Sequence, residues 1–229
     1  MQNQTRLWTK DYILLCLANL TMSMSFYFLI SCVPVYIVDG LNQDKSSVGL
    51  IIASYTLAAL LIRPFTGSAL DIWGRKKLYL ISFLAFGVLF GGYYFVSGFT
   101  VFLLLRFLHG FTWGVVTTSG STVLVDVIPA KRRGEGLGYY GLSMTIGMAL
   151  GPYLGLILMG DRHFDRLFFT GMVLALSGFV LASMVKYQNF ATRKTSFSYK
   201  NMFEPLSFPL SLAMMLVMIS YGGDRKSVV

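Results

Sequence analysis

One face of a long apolar segment carries the residues best suited to chemistry. A set of residues recurs there at intervals of three or four positions: Arg106, His109, Gly110, Trp113, Gly114 and Thr117. This spacing places the whole set on one side of an α-helix. Because a charged arginine is costly in contact with lipid, we expect this face to look into the protein, with the two glycines leaving room for a close neighbouring helix.

Arg106 and His109 each have two interpretations. Arg106 either holds a charge-sensitive site that tunes proton transfer, which we favour, or is a structural arginine bonded to backbone carbonyls. His109 is a residue type that exchanges protons near neutral pH, although such a histidine is more often a satisfied hydrogen-bonding group. Asn19 lies in the first apolar segment, and we expect it to contact either a solute or a neighbouring helix.

The composition places this face inside a membrane. Of the 229 residues, 55% are hydrophobic and 13% are charged, and the mean hydropathy is +0.65. A soluble domain carries about 25% charged residues. The net charge of +9 comes from loops rather than from a continuous basic stripe, so a nucleic-acid partner is excluded and the lipid bilayer is the expected one.

Six apolar segments predict six membrane-spanning helices, at about residues 12–38, 47–70, 78–96, 100–127, 135–159 and 166–185. We therefore expect a six-helix bundle over residues 1–187 and a basic cytoplasmic linker over residues 188–207. Residues 208–229 begin a further apolar segment too short to span a bilayer and end in an unrelated tail. We expect this segment to be a truncated seventh helix.

A short polar hinge separates the second and third segments. Gly67 is expected to relieve crowding between two close antiparallel helices, and Gly74 to adopt a backbone conformation that most residues avoid. Asp71 falls at a helix C-terminus, where the helix dipole disfavours negative charge, so Arg75 is its expected partner. Lys76 and Lys77 would hold the hinge in the cytoplasm.

Two other features complete the sequence pattern. Asp126, at the end of the fourth segment, lies too far along the helix from Arg106 to pair with it, and we expect it to reach the loops that hold Arg75. In the fifth segment a glycine repeats every four residues, at Gly147, Gly151 and Gly155, and Pro152 removes a backbone hydrogen bond, so we expect a bend there. Such a ridge permits close helix contact, either against another part of the protein or as ordinary bundle packing.

These motifs resemble those of the major facilitator superfamily. The hinge has the family's order of a glycine, three residues, an aspartate, two residues, a glycine, an arginine and further basic residues, although Ile72 departs from it. The face around Arg106 resembles a second signature, with His109 where the family usually has glutamine. The Gly147–Gly155 segment resembles a helix-5 signature of exporters, especially drug–proton antiporters, and Leu156 breaks its end.

The resemblance covers residues 1–221 and implies an all-α membrane protein. Its six transmembrane helices would form the N-terminal bundle of a major facilitator fold, a 3+3 inverted repeat, followed by a partial seventh helix. Gly67, Asp71, Gly74, Arg75, Lys76, Lys77 and Asp126 would form a conformational-switch loop. Arg106, His109, Asn19 and Trp113 would serve a central cavity or coupling. The helix-5 ridge would contact a C-terminal transporter half that this chain lacks.

The implied function is secondary active transport of a small organic solute by alternating access, with proton-coupled efflux as the leading form. A facilitated or uptake transporter of the same family, or a non-transporting membrane sensor or scaffold, remains an alternative. Phe26, Tyr27, Trp113, Tyr139 and Tyr140 would suit an aromatic solute, but are equally ordinary packing residues. No pattern of residues indicates an enzyme, a cofactor or a metal site.

The distribution of lysine and arginine predicts the topology. One set of loops holds Arg6, Lys10, Arg75, Lys76, Lys77, Lys131, Arg132, Arg133, Lys186, Arg193, Lys194 and Lys200. The opposite set holds only Lys45, Arg162 and Arg166. We therefore expect a multi-pass protein of a bacterial-type plasma (inner) membrane, with its N-terminus in the cytoplasm.

Overall fold

Most of the chain that the structure describes is α-helical. The computed structural model describes residues 6–160 and 162–186, together with residues 209, 212 and 213. The chain divides into two compact units, Met1–Thr195 and Ser196–Val229. In the second unit the three described residues are helical and exposed. The expected basic linker, almost all of the expected seventh helix and the tail lie outside the described residues.

Six long helices make up the first unit. They are α1 (Lys10–Val35), α2 (Ser46–Trp73), α3 (Arg75–Gly92), α4 (Phe99–Val127), α5 (Arg133–Met159) and α6 (Phe164–Ser183). A π-helical turn at Tyr36–Gly40 prolongs α1, and short 3₁₀ turns occupy Tyr93–Phe95 and Ala130–Arg132. Within the described residues these six segments, of 20 to 31 residues with their turns, are long and apolar enough to cross a bilayer. The predicted all-α membrane fold is confirmed.

The contacts between helices repeat within the unit. Helix α1 packs on α5 and α6, while α4 packs on α2 and α3, and α3 packs on α6. Exchanging α1 with α4, α2 with α5 and α3 with α6 leaves this contact pattern unchanged. Two three-helix repeats therefore build the bundle, in agreement with the 3+3 arrangement expected from the sequence.

Glycines make the two equivalent contacts, α2–α4 and α1–α5, close. A Cβ atom at Gly110 would overlap the carbonyl oxygen of Tyr55, and one at Gly114 would lie 2.7 Å from the carbonyl oxygen of Ala59. Since both obstacles are backbone atoms, neither can rotate away. Helix α4 can approach α2 this closely only because these positions lack side chains.

The helix-5 glycines serve the same purpose at the other contact. Cβ atoms at Gly147, Gly151 and Gly155 would meet α1 at 2.8, 2.8 and 2.6 Å. The expectation that this ridge faces a helix outside the bundle is therefore corrected, because α1 already occupies it. Helix α5 continues through the half-buried Pro152 without interruption.

Gly74 alone forms the hinge between α2 and α3. Its φ of 89° lies in the region that favours glycine. Its backbone N–H donates to Leu70 O at 3.2 Å, and its carbonyl accepts from Leu78 N at 3.0 Å, so it ends one helix and begins the next. A Cβ atom added at Gly67 would meet no described atom within 4 Å outside its own stretch of helix. The expected crowding there is wrong, because α2 packs mainly on α4 rather than on α3.

We predict that Gly110→Ala lowers stability, because the new methyl group must push apart two helix backbones. Overpacking of this kind costs about 1–3 kcal/mol. Gly138→Ala is the matched control: it lies on the exposed side of α5 with open space around it, so higher helix propensity should leave stability equal or slightly raised.

The measurement is thermal unfolding of the detergent-solubilised protein, followed by maleimide labelling of the fully buried Cys32 in a Cys16→Ser background. Gly110→Ala should lower the midpoint by several degrees relative to Gly138→Ala. Equal midpoints for the two variants would show that the close α2–α4 contact is not formed.

Candidate functional site

A cavity opens between α1, α2 and α4 in the first unit. It has a volume of about 230 Å³ and is lined by Phe26 from α1, Tyr55 and Arg63 from α2, and Arg106 and Trp113 from α4, with aliphatic side chains between them. A water molecule takes up about 30 Å³ in the liquid, so the space exceeds what a single ordered water needs. Of the predicted cavity residues, the structure brings Arg106 and Trp113 together here.

Arg106 is buried in an aromatic surround. It is only 3% exposed, and its guanidinium carbon lies 5.9 Å from the ring centre of Tyr55, 5.3 Å from that of Tyr93 and 5.4 Å from that of Phe102. These distances fall within the range of cation–π attraction. The prediction that Arg106 faces into the protein is confirmed.

The polar atoms of Arg106 and Tyr55 are not all hydrogen-bonded within the described residues. The Nε and Nη2 atoms of Arg106 are buried and find no hydrogen-bond partner among the described residues, and neither does the hydroxyl of Tyr55. The alternative of a structural arginine bonded to backbone carbonyls is therefore not observed. Buried donors without partners are rare, and each requires a physical explanation.

Aromatic rings form one wall of the cavity. Phe26 stacks on Trp113 with ring centres 4.1 Å apart and an interplanar angle of 22°, and it lies 5.4 Å from the ring of Tyr55. The sequence left Arg63 either at the membrane surface or facing the interior. The structure places it in the lining of the cavity, and the residue is exposed. The cavity thus combines a flat apolar wall with two arginines.

Tyr55 is the cavity residue that the sequence analysis missed. It lies eight positions before Arg63 in α2 and therefore on the same helix face. An arginine inside an apolar segment was the available signal, because it marks which face of the helix looks inward.

His109 lies beside the cavity rather than on it. Its Nδ1 is 2.7 Å from the hydroxyl of Tyr93, and which of the two donates depends on the tautomer. Its Nε2 is buried without a partner among the described residues, and its ring contacts Phe86 and Phe90. His109 is therefore close to Arg106 through Tyr93, but turned towards α3.

Asn19 joins two helices. Its amide nitrogen donates to Ser143 Oγ at 2.8 Å and to Tyr140 O at 3.2 Å, and the residue is 4% exposed. Of the two interpretations left open by the sequence, the structure thus shows the helix-to-helix contact, between α1 and α5. Asn19 does not line the cavity described above.

An ion pair joins the hinge to α4 at one end of the bundle. Nη1 of Arg75 lies 2.7 and 2.8 Å from the two carboxylate oxygens of Asp126, whose side chain is 12% exposed. The expected pairing of Asp71 with Arg75 is corrected: Asp71 is exposed, while Arg75, at the start of α3, reaches across to α4.

The same end holds two contacts that the sequence did not indicate. Lys76 Nζ donates to the carbonyl of Val185 at 2.9 Å, and the carboxylate of Asp11 accepts from the backbone N–H of Lys186 at 2.9 Å. Together they fix the residues that follow α6 to the start of α3 and the start of α1. Lys77 is exposed. We call the end of the bundle that holds Asp11, Arg75, Lys76, Lys77 and Asp126 its basic end.

The described residues contain no cluster of histidine, cysteine, aspartate or glutamate that could hold a metal ion. The site instead consists of a cavity with a buried charge, in a bundle of membrane-length helices in which an ion pair joins α3 to α4 at one end. This combination defines a membrane helix bundle with a polar interior site.

The family model described as Major Facilitator Superfamily matches residues 15–223. The chain belongs to the major facilitator superfamily, and its family is one of membrane transporters rather than enzymes.

Two curated relatives are similar over much of the chain. The quinolone resistance protein NorA of Staphylococcus aureus (strain MRSA252) is 29% identical over 156 residues, covering 67% of this chain and 39% of that protein. Multidrug resistance protein 1 of Bacillus subtilis (strain 168) is 27% identical over 217 residues, covering 90% of this chain and 54% of that protein. The chain thus spans about half the length, or less, of these relatives.

Solved structures share the fold. The human organic anion transporter MFSD10 (TETRAN) superimposes with a TM-score of 0.69 at 18% identity, covering 86% of this chain and 54% of that one. The nucleoside transporter NupG gives a TM-score of 0.67 at 14% identity, covering 91% and 52%. At these identities the likeness concerns the fold alone.

We predict that Asp126→Asn lowers the free energy of unfolding by about 1–3 kcal/mol, because it removes the charge of a carboxylate that is only 12% exposed and is paired with Arg75. The matched control is Glu135→Gln. It removes the ion pair between Glu135 and Arg132, both of which are more than a third exposed, so we expect a change of at most about 1 kcal/mol.

Thermal unfolding in detergent compares the two variants. The charge exchange Arg75→Asp with Asp126→Arg should recover part of the stability lost in Asp126→Asn. If Asp126→Asn and Glu135→Gln lower the free energy of unfolding equally, the hinge ion pair stabilises the protein no more than the exposed pair does.

Proposed function

We propose that these six helices form one half of a secondary transporter that exports a small organic solute in exchange for protons. The observation that carries the proposal is the cavity between α1, α2 and α4, which contains a buried arginine and an aromatic wall. Concave, mostly apolar sites with a few polar groups are typical of small-molecule binding. The names of the two bacterial relatives, both resistance proteins, favour export.

The second half is part of this proposal. In the major facilitator fold two six-helix halves move about a site between them. Large apolar side chains remain exposed along α2, including Leu57, Leu60 and Phe65. On α5 they include Leu150, Tyr153 and Leu156. These surfaces would meet lipid or a second six-helix unit.

The basic end would control the conformational change. We assign this role to the hinge and its partner, namely Gly67, Asp71, Gly74, Arg75, Lys76, Lys77 and Asp126. Gly74 is a single-residue pivot, and the Arg75–Asp126 pair fixes one position of α3 against α4. Because an ion pair is a discrete contact that either forms or breaks, it can favour one of two states rather than a continuum.

Proton coupling needs a group that gains and loses a proton. No aspartate or glutamate lines the cavity among the described residues, so in this proposal the carboxylate comes from the second six-helix unit. While no solute occupies the cavity, Arg106 would bias that carboxylate towards its charged form, since an opposite charge nearby favours ionisation. His109 would contribute to proton coupling through Tyr93, with which it shares a hydrogen bond.

The helix-5 glycines have a supporting role in this scheme. Gly147, Gly151 and Gly155 seat α5 on α1. We propose that this contact keeps the bundle rigid while the two halves move. The basic end would face the cytoplasm of a bacterium, in accordance with the lysines and arginines gathered there.

The test is flux in proteoliposomes that contain the complete gene product carrying these helices. We predict that an imposed pH gradient drives accumulation of a quinolone, and that a protonophore abolishes the accumulation. Asp126→Asn should slow the maximal rate about tenfold or more while leaving the half-saturating concentration within about twofold, because the residue acts on the switch and not on the cavity.

Glu135→Gln, which removes an exposed ion pair at the same end, should transport at the unmodified rate. Flux that only equalises the solute concentration across the bilayer, whatever ion gradient is imposed, would indicate a facilitated transporter instead. Solute binding with no flux under any gradient would indicate a sensor and contradict the proposal.

A further inference from the structure

The cavity carries an excess of positive charge. Arg63 and Arg106 both line it, and no acidic side chain lines it among the described residues. Neither arginine has an ion-pair or hydrogen-bond partner within the part of the chain that the structure describes. Arg106 is almost fully buried, so its charge is little screened by water.

We infer that the cavity takes a small aromatic monoanion, with a carboxylate as the simplest form of its acid group. The acid group would pair with Arg106 and accept from the Tyr55 hydroxyl, while the ring would lie along the Phe26–Trp113 stack. This inference rests on the proposed function, because it names the charge class of the solute that the same cavity would bind.

The unpaired donors support an anion over a neutral solute or a cation. A guanidinium and a phenol that both line this cavity have buried donor atoms without acceptors among the described residues. A carboxylate offers two oxygens with several acceptor positions and matches the planar fork of arginine. A cation would instead add a further positive charge and leave both donors unpaired, which is unfavourable on both counts.

The apolar wall and the volume define the rest of the solute. The Phe26–Trp113 pair presents flat rings, on which an aromatic solute can pack face to face or edge to face. The volume of about 230 Å³ is near the lower end of small-molecule pockets, which run from about 300 to 1,000 Å³. A compact ring system with one acid group fits both features.

Quenching of Trp113 fluorescence by nitroaromatic probes tests the inference. The chain has three tryptophans, and the other two are exposed, Trp8 at 56% and Trp73 at 61%. Replacing both by phenylalanine leaves the cavity tryptophan as the only reporter. The full chain in lipid nanodiscs is titrated with 4-nitrobenzoate, 4-nitrobenzyl alcohol and 4-nitrobenzylamine, which differ mainly in charge, and empty nanodiscs correct for partition into lipid.

We expect saturable quenching by 4-nitrobenzoate with a dissociation constant at least tenfold below that of the alcohol, and the weakest binding for the amine. This factor corresponds to the lower range for a hydrogen bond to a charged group. Arg106→Gln should remove the preference for the anion while the alcohol still binds. Arg166→Gln, which removes a positive charge at an exposed position outside the cavity, should retain the preference.

Arg106→Lys and Tyr55→Phe provide milder variants if Arg106→Gln does not fold. Each should weaken 4-nitrobenzoate binding severalfold without affecting the alcohol. The inference is overturned if the amine binds as tightly as the anion, or if these variants leave anion binding unchanged. Anion binding without flux in proteoliposomes would refute the transport proposal alone, whereas flux of a quinolone without anion preference would refute only this inference.

Discussion

The structure depends on a charged guanidinium held inside a bundle of membrane-length helices. Arg106 is 3% exposed, and a charge in that position is costly unless a neighbouring group stabilises it. Aromatic rings of Tyr55, Tyr93 and Phe102 surround it and offset part of the cost. Two of its donors nevertheless remain unpaired among the described residues. A solute bound in the cavity beside Arg106 can supply the missing hydrogen-bond acceptor.

Close helix packing makes this arrangement possible. Gly110 and Gly114, on the same face of α4 as Arg106, bring α2 to within backbone contact, and α2 delivers Tyr55 and Arg63 to the cavity. The equivalent contact, obtained by exchanging the two repeats, seats α5 on α1 through Gly151 and its neighbours. The ion pair at the basic end joins α3 to α4. Close packing of the helices thus positions the charge, and Gly74 forms the hinge between α2 and α3.

Much of this could be predicted from the sequence. Helix number and approximate bounds follow from apolar length, and the inward face of α4 follows from the three- and four-residue spacing around Arg106. Which helices pair does not follow from local pattern. Gly67 and the helix-5 ridge were placed against the wrong surroundings, because a glycine shows that something approaches closely but not which helix it is. Asp71 was expected to pair with Arg75 because the two are near in sequence, but Arg75 pairs with Asp126, which was expected to reach the loops that hold Arg75.

The charge of the cavity is the central claim, and thiol modification measures it directly. Thr56 lines the cavity, so Thr56→Cys, in a background lacking Cys16 and Cys32, places a reactive group there. Its rates with anionic and cationic methanethiosulfonate reagents are each divided by the rate with a small thiol in solution. An electropositive cavity predicts that the anionic reagent is favoured about tenfold and that Arg106→Gln removes this preference. A preference for the cationic reagent in the unmodified cavity would contradict the account.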